Sequence, residues 1–194
     1  MVKLYPKRGQ RLPVVGLCLL FSWGVFVSVG CSSKPSVESR AQTKKERSAV
    51  REAKSEPLYS DTALTGLREL TLYVGPEELT AEIVSTPREI ATGLMHRESL
   101  APDRGMLFVF AVPHRASFYM RNTCIPLDIA YLDSDGIVLE IHQGIPFSEA
   151  GLEASTESVH YVLEMNSRWF ASKGIGPGAQ VVSELGLFKD TFRF

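Results

Sequence analysis

Residues 117–140 decide the fold: S-F-Y-M-R-N-T-C-I-P-L-D-I-A-Y-L-D-S-D-G-I-V-L-E. An apolar run before Arg121 breaks at Asn122-Thr123-Cys124-Ile125-Pro126, where the proline fixes its own φ and removes a backbone donor. A second run over 127–133 turns at Ser134-Asp135-Gly136 into a third over 137–142. Asp-Gly between two such runs is a strong hairpin signal, because the turn that suits twisted strands needs residues tolerating positive φ. The stretch is therefore predicted as three strands: 115–121, 127–133 and 137–142.

Working outward, Leu70, Leu72 and Val74 alternate with Thr71 and Tyr73, and Leu79, Ala81 and Ile83 alternate with Thr80, Glu82 and Val84. This period of two predicts a pair of strands turned at Gly75-Pro76. Thr86-Pro87-Arg88-Glu89 opens a helix: Thr86 caps it, Pro87 suits its first position and Glu89 closes a capping box. Gly93 limits that helix to about two turns. Residues 105–110 are apolar at almost every position, as in a strand covered on both faces, and Pro113 separates them from 115–121. Further on, a loop over 143–157 leads to a strand over 158–165. Asn166 is expected to cap a short helix holding Trp169 and Phe170 and closed by Gly174, and the last strand covers 180–184. Six to eight short strands with two short helices predict a mainly β fold, a small β-sandwich or squat barrel.

Three pieces, Gly93-Leu94-Met95-His96-Arg97, Gly105-Met106-Leu107-Phe108-Val109-Phe110 and residues 117–129, together resemble a bacterial and archaeal family. It is known as domain of unknown function 192, and its members read roughly G-L-M-x-R, G-M-L-F-x-F and S-F-W-M-K-N-T-x-I-P-L-D-I. The similarity runs from about Glu82 to Val182, with Tyr119 for the usual Trp, Arg121 for Lys and Cys124 for an aliphatic residue. It implies the same mainly β architecture and names no substrate.

The chain of 194 residues, 44% of them apolar, has room for one ordinary domain plus extensions. A formal net charge of −1 argues against a nucleic-acid partner held by a basic field. Of the three cysteines, Cys18 and Cys31 fall in or beside the N-terminal apolar run, so Cys124 is left without an internal disulfide partner.

Residues 1–31 read as a secretory signal: Lys3, Lys7, Arg8 and Arg11, then an uncharged apolar run, then Ser28-Val29-Gly30-Cys31 before polar sequence. Cysteine after small residues is the bacterial lipoprotein pattern, in which Cys31 receives a diacylglycerol. An uncleaved membrane anchor is the other reading, the run being about as long as the shortest spanning helix. Either way the expected setting is the cell envelope, at the outer membrane facing the periplasm in a Gram-negative host. Residues 32–65, rich in Ser, Lys, Arg, Glu and Ala, predict a disordered tether, and 66–194 the β-rich domain.

Arg97, Asn122, Asp128, Glu140 and Glu164 are the candidate ligand-binding residues. Each falls within the stretch that the resemblance covers, and together they suggest one ligand cleft or one buried salt-bridged network. Strand period points Asp128, Glu140 and Glu164 away from their apolar neighbours, so solvent is the default environment. The leading expectation is a non-catalytic envelope module, bound to a membrane through its lipid anchor, that takes a small ligand, a glycan or a protein partner. No catalytic residue, metal or cofactor is assigned. One alternative is a hydrolase pairing Asp128 with Glu140 or Glu164. Another is a soft-metal carrier, such as one for copper, built on Met95, Met106 and Met120.

Overall fold

A computed structural model describes residues 58–192. The expected signal segment, Cys31 and the tether up to residue 57 lie outside them. Nine strands and three short helices follow in the order β1 (Glu69–Val74), β2 (Glu77–Val84), α1 (Pro87–Thr92), β3 (Arg104–His114), β4 (Ser117–Phe118), β5 (Leu127–Leu132), β6 (Val138–Gly144), β7 (Leu152–Glu153), β8 (Val159–Asn166), α2 (Trp169–Ser172), β9 (Val181–Ser183) and α3 (Phe188–Thr191). No helix among the described residues is long and apolar enough to cross a membrane.

Seven strands form one mixed sheet in the order β6-β5-β8-β3-β2-β1-β9. β2 and β3 are parallel, so their connection must cross over, and α1 lies within it. Its capping box is complete, with Thr86 and Glu89 bonding each other's backbone and Pro87 in the first turn. The sheet curls into a half-barrel whose two edges meet. Val138 N–H donates to Ala179 O, Gly178 N–H to Val138 O and Val181 N–H to Gly136 O, each at 2.8 Å. Asp133 shapes the hairpin before β6 by accepting the Asp135 and Ile137 amides at 2.9 Å, with Gly136 at φ 78°.

Both sheet faces are covered. One apolar cluster draws on all seven strands, through residues such as Leu72, Ala81, Leu107, Leu132, Val138, Leu163 and Val181. The other places Phe108, Ile129, Tyr131 and Val162 beneath Ile90, Leu94, Phe118 and Met120. All six residues of β5 are consequently buried. This double cover overturns the expectation that polar residues alternating with apolar ones face water: Asp128 is 1% exposed and Glu164 3%.

Other expectations shift as well. The strand expected over 115–121 shrinks to β4, which pairs only with β7, itself inside the expected loop, because the chain leaves extended geometry at Asn122, φ 55°. β3 continues through Pro113, where a register irregularity between Val109 and His114 tolerates a residue without a donor. Asn166 does not cap α2; its amide donates to Leu100 O at 3.1 Å and Ala101 O at 3.0 Å. Two residues before 66 also make contacts with the domain. Ser60 N–H donates to Thr92 Oγ1 at 2.9 Å, and Leu64 packs against the core.

Candidate functional site

The five candidate residues do not share one cleft. β5 sends Leu127, Ile129 and Tyr131 to the face beneath α1, and Asp128, Ala130 and Leu132 to the interior of the curl. Register places Glu140 opposite Tyr131 and Glu164 opposite Ile129. Both glutamates therefore lie on the face Asp128 leaves, and the sheet separates the carboxyl pair that the hydrolase alternative requires.

Asp128 is a structural carboxylate. Its Oδ1 accepts Gln143 Nε2 at 2.6 Å and the Arg168 amide at 2.8 Å, and Oδ2 accepts the Phe170 amide at 3.4 Å. It thereby satisfies open donors at the start of α2, the task expected of Asn166. Arg168, held at φ 68°, supplies no cap of its own.

Arg97 pairs with Glu82, not with Asp128. Nη1 donates to Oε1 at 2.9 Å, Nη2 bonds Oε2, and Nη2 also donates to Leu64 O at 3.0 Å. Arg104 is a second cation at 3.9 Å from Glu82. Arg97→Ala is expected to cost about 2 kcal/mol, less than a fully buried pair because Arg104 remains. A fall in melting temperature of about 5 °C is the readout. Adding Glu82→Gln should recover part of the loss, and a strictly additive double mutant would refute the pairing.

Asn122 is a corner. Its carbonyl accepts the His96 amide at 2.9 Å, its Nδ2 reaches Met95 Sδ at 4.0 Å, and both Asn122 and His96 have positive φ. Cys124 Sγ–H donates to Arg97 O at 3.0 Å, which ties the same two loops together. Glu140 is half-buried and engaged: Oε1 accepts the Ser155 amide at 2.7 Å and its hydroxyl at 3.1 Å, and Oε2 lies 3.0 Å from His142 Nε2. Burial works to raise its pKa, but the bonds from His142 and Ser155 outweigh it and hold the carboxyl below its ordinary value.

Glu164 differs from the rest. It sits mid-β8 between Met106 and Ile129 in register. Phe108 and the Glu164 carboxylate both border Gly93; a β-carbon added there would lie 3.1 Å from Phe108 Cζ and 3.9 Å from Glu164 Oε2. No hydrogen bond or ion pair holds this carboxylate among the described residues. Burial pushes its pKa up to about 7. Tyr131, raised mainly by its own burial, feels the charges of both Glu164 and Glu140.

The three methionines of the soft-metal alternative are core side chains, each no more than 1% exposed. Met120 packs directly over Gly144. Among the described residues no group of three His, Cys, Asp or Glu is placed to hold a metal ion. A hollow of about 400 Å³ opens on the opposite sheet face, between Leu67, Arg68, Ile83, Glu89, Val109 and Phe192. None of the five candidates lines it, and its one acidic side chain, Glu89, is engaged in the capping box. The hollow offers space, whereas Glu164 offers a buried carboxylate with no partner among the described residues, and the second is the more specific sign of a ligand.

Sequences with known counterparts place this arrangement. A Sinorhizobium meliloti 1021 protein, described as a candidate transcription regulator, is 36% identical, with a TM-score of 0.55 over 59% of this chain and 92% of its own. A protein of unknown function from Novosphingobium aromaticivorans DSM 12444 is 34% identical, with a TM-score of 0.57 over 66% of this chain and 93% of its own. No curated protein matches the chain. The model of the DUF192 family, described as an uncharacterized ACR, matches residues 71–183, which span every strand from β1 to β9 except the first two residues of β1. The match covers more than half of the chain, and the chain belongs to the DUF192 family.

Proposed function

We propose that this protein is an envelope lipoprotein, tethered to a membrane, whose DUF192 domain binds a small ligand without catalysis. The observation that carries the binding reading is Glu164: a buried carboxylate, bordered by the Gly93 and Phe108 motifs, with no bonding partner among the described residues. Such a group favours a ligand that brings a cation or a strong hydrogen-bond donor, since either replaces the hydration that burial removed. Catalysis by paired carboxylates has less support. Asp128 is committed to backbone amides, and Glu140 to Ser155 and His142. The regulator description of the Sinorhizobium protein gains no support here from charge, the formal balance being −1. The N-terminal sequence, with Cys31 after small residues, supports the lipid anchor.

Thermal-shift screening of primary amines and amide-bearing small molecules tests the binding reading. A ligand present at about a hundred times its Kd stabilises by roughly 2.7 kcal/mol, a rise of about 8 °C for a domain of this size. The rise is expected in the wild type and absent in Glu164→Gln. Equal responses in the two proteins, or no response to either ligand class, would remove Glu164 from the site.

A further inference from the structure

One segment combines a costly backbone conformation with exposed apolar side chains. Ile145-Pro146-Phe147-Ser148 is a tight turn closed by the Ser148 amide donating to Ile145 O at 3.1 Å. Pro146 fits its second position, but the third normally falls to Gly or Asn because it requires positive φ. Here it is Phe147, at φ 60°, a bulky side chain in a region that carries strain. The turn is pinned to the neighbouring loop, with the Phe147 amide donating to Thr123 O at 3.1 Å and the Met120 amide to Ser148 O at 2.7 Å. Nothing in this arrangement buries the side chains: Ile145 is 69% exposed and Phe147 65%.

The place where the chain enters the described domain is close by. Leu58 is 53% exposed, and the next residue, Tyr59, interacts with the Arg121 guanidinium, whose charge is held mainly by Glu149. Arg121 in turn donates to both Glu149 oxygens, at 3.0 and 2.9 Å, two residues beyond Phe147. Three of the five large exposed hydrophobic side chains among the described residues, Leu58, Ile145 and Phe147, thus lie on the two segments that Arg121 links, one of them the segment by which the chain enters the domain. The charge beside them, Arg121 with Glu149, cancels.

We propose that the 145–148 turn, with Leu58 beside it, is a membrane-docking tip that inserts its apolar side chains into the interfacial region of the bilayer. The proposal rests on the tethered reading given above, because a tether arriving at Leu58 holds this side of the domain near the lipid. Exposed apolar side chains on a rigid tip gain free energy at the acyl boundary in proportion to the area they bury. With the neighbouring charges neutralised, docking depends on apolar burial and is insensitive to salt.

The test uses the full chain in vesicles of phosphatidylethanolamine and phosphatidylglycerol, with Cys18→Ser and Cys124→Ser. A polarity-sensitive dye is attached at Ile145→Cys or, as a control, at Leu185→Cys, which is also exposed. Flotation on a density gradient reports tethering, and quenching by spin-labelled lipid reports docking. The expected result is flotation, with quenching at position 145 at least threefold stronger than at 185 and unchanged between low and high salt. Phe147→Ser should reduce quenching at 145 to about the control level. A chain that floats but is quenched equally at both positions overturns the docking tip and leaves the tether standing. Dye shielded at 145 without lipid quenching means a protein surface covers the turn, and also overturns it. A chain that neither floats nor shows quenching overturns the tethered reading and the docking tip with it.

Discussion

Glu164→Gln is expected to make the domain more stable above neutral pH, and to leave it nearly unchanged in acid. The folded-state pKa of Glu164 is raised by burial to about 7 from an ordinary 4.5. Between those values the native state holds a proton that the unfolded state has released, so wild-type stability falls as pH rises through the interval and is level above it. A difference of about 2.5 pH units corresponds to roughly 3 kcal/mol. Glutamine carries no charge and matches the protonated acid in shape, so it removes the penalty at pH 8, where the melting temperature should rise by about 10 °C. At pH 4 both side chains are neutral and the two proteins should melt within a few degrees. Other carboxyls, such as Glu140 and Glu89, have lowered pKa values and contribute stability that is lost as pH falls. They do so equally in both proteins, and the difference between the two melting curves isolates Glu164. If the curves run parallel from pH 4 to pH 8, the carboxyl is solvated and its place as a ligand anchor fails with it. Stabilisation by removing a residue is also what a functional site predicts, since selection for binding tolerates a local cost.

Much of this was legible in the sequence. The period-two runs at 70–74 and 79–84 became β1 and β2, the Thr86–Glu89 box caps α1 as read, and the Asp-Gly turn leads into β6. The polar candidates were misread for a single physical reason. Alternation assigns a polar residue to water only when one sheet face is exposed, and here both faces are covered. The signal was present: Tyr161-Val162-Leu163-Glu164-Met165 and Leu127-Asp128-Ile129-Ala130-Tyr131 are apolar on either side of the acid at every step, as doubly covered strands are. An acid within such a run is buried with it. Which partner each acid finds was not legible. Glu82, Gln143 and the Arg168 amide lie 15 to 40 positions from Arg97 or Asp128, and only the register of the curled sheet brings them together.

Asp128→Ala is expected to destabilise the domain by about 4 kcal/mol, with a fall in melting temperature on the order of 12 °C. The side chain is 1% exposed and accepts from two backbone amides and one side-chain amide. Removing it strands those donors beside the start of α2, each at a desolvation cost of roughly 1–3 kcal/mol, partly recovered where water can enter. It also frees Arg168 from the contact that accompanies its left-handed backbone. Asp128→Asn keeps an acceptor for one amide but turns a donor toward the others, and should lose about half as much. The ordering Asp, Asn, Ala distinguishes a cap from a ligand anchor, because an anchor that meets no protein donor would be replaced at little cost to folding. Calorimetric melts of the three proteins at pH 7 decide the matter. If Asp128→Ala melts within about 2 °C of the wild type, the amides of Arg168 and Phe170 do not depend on this carboxylate, and Asp128 returns to the list of residues available to a ligand.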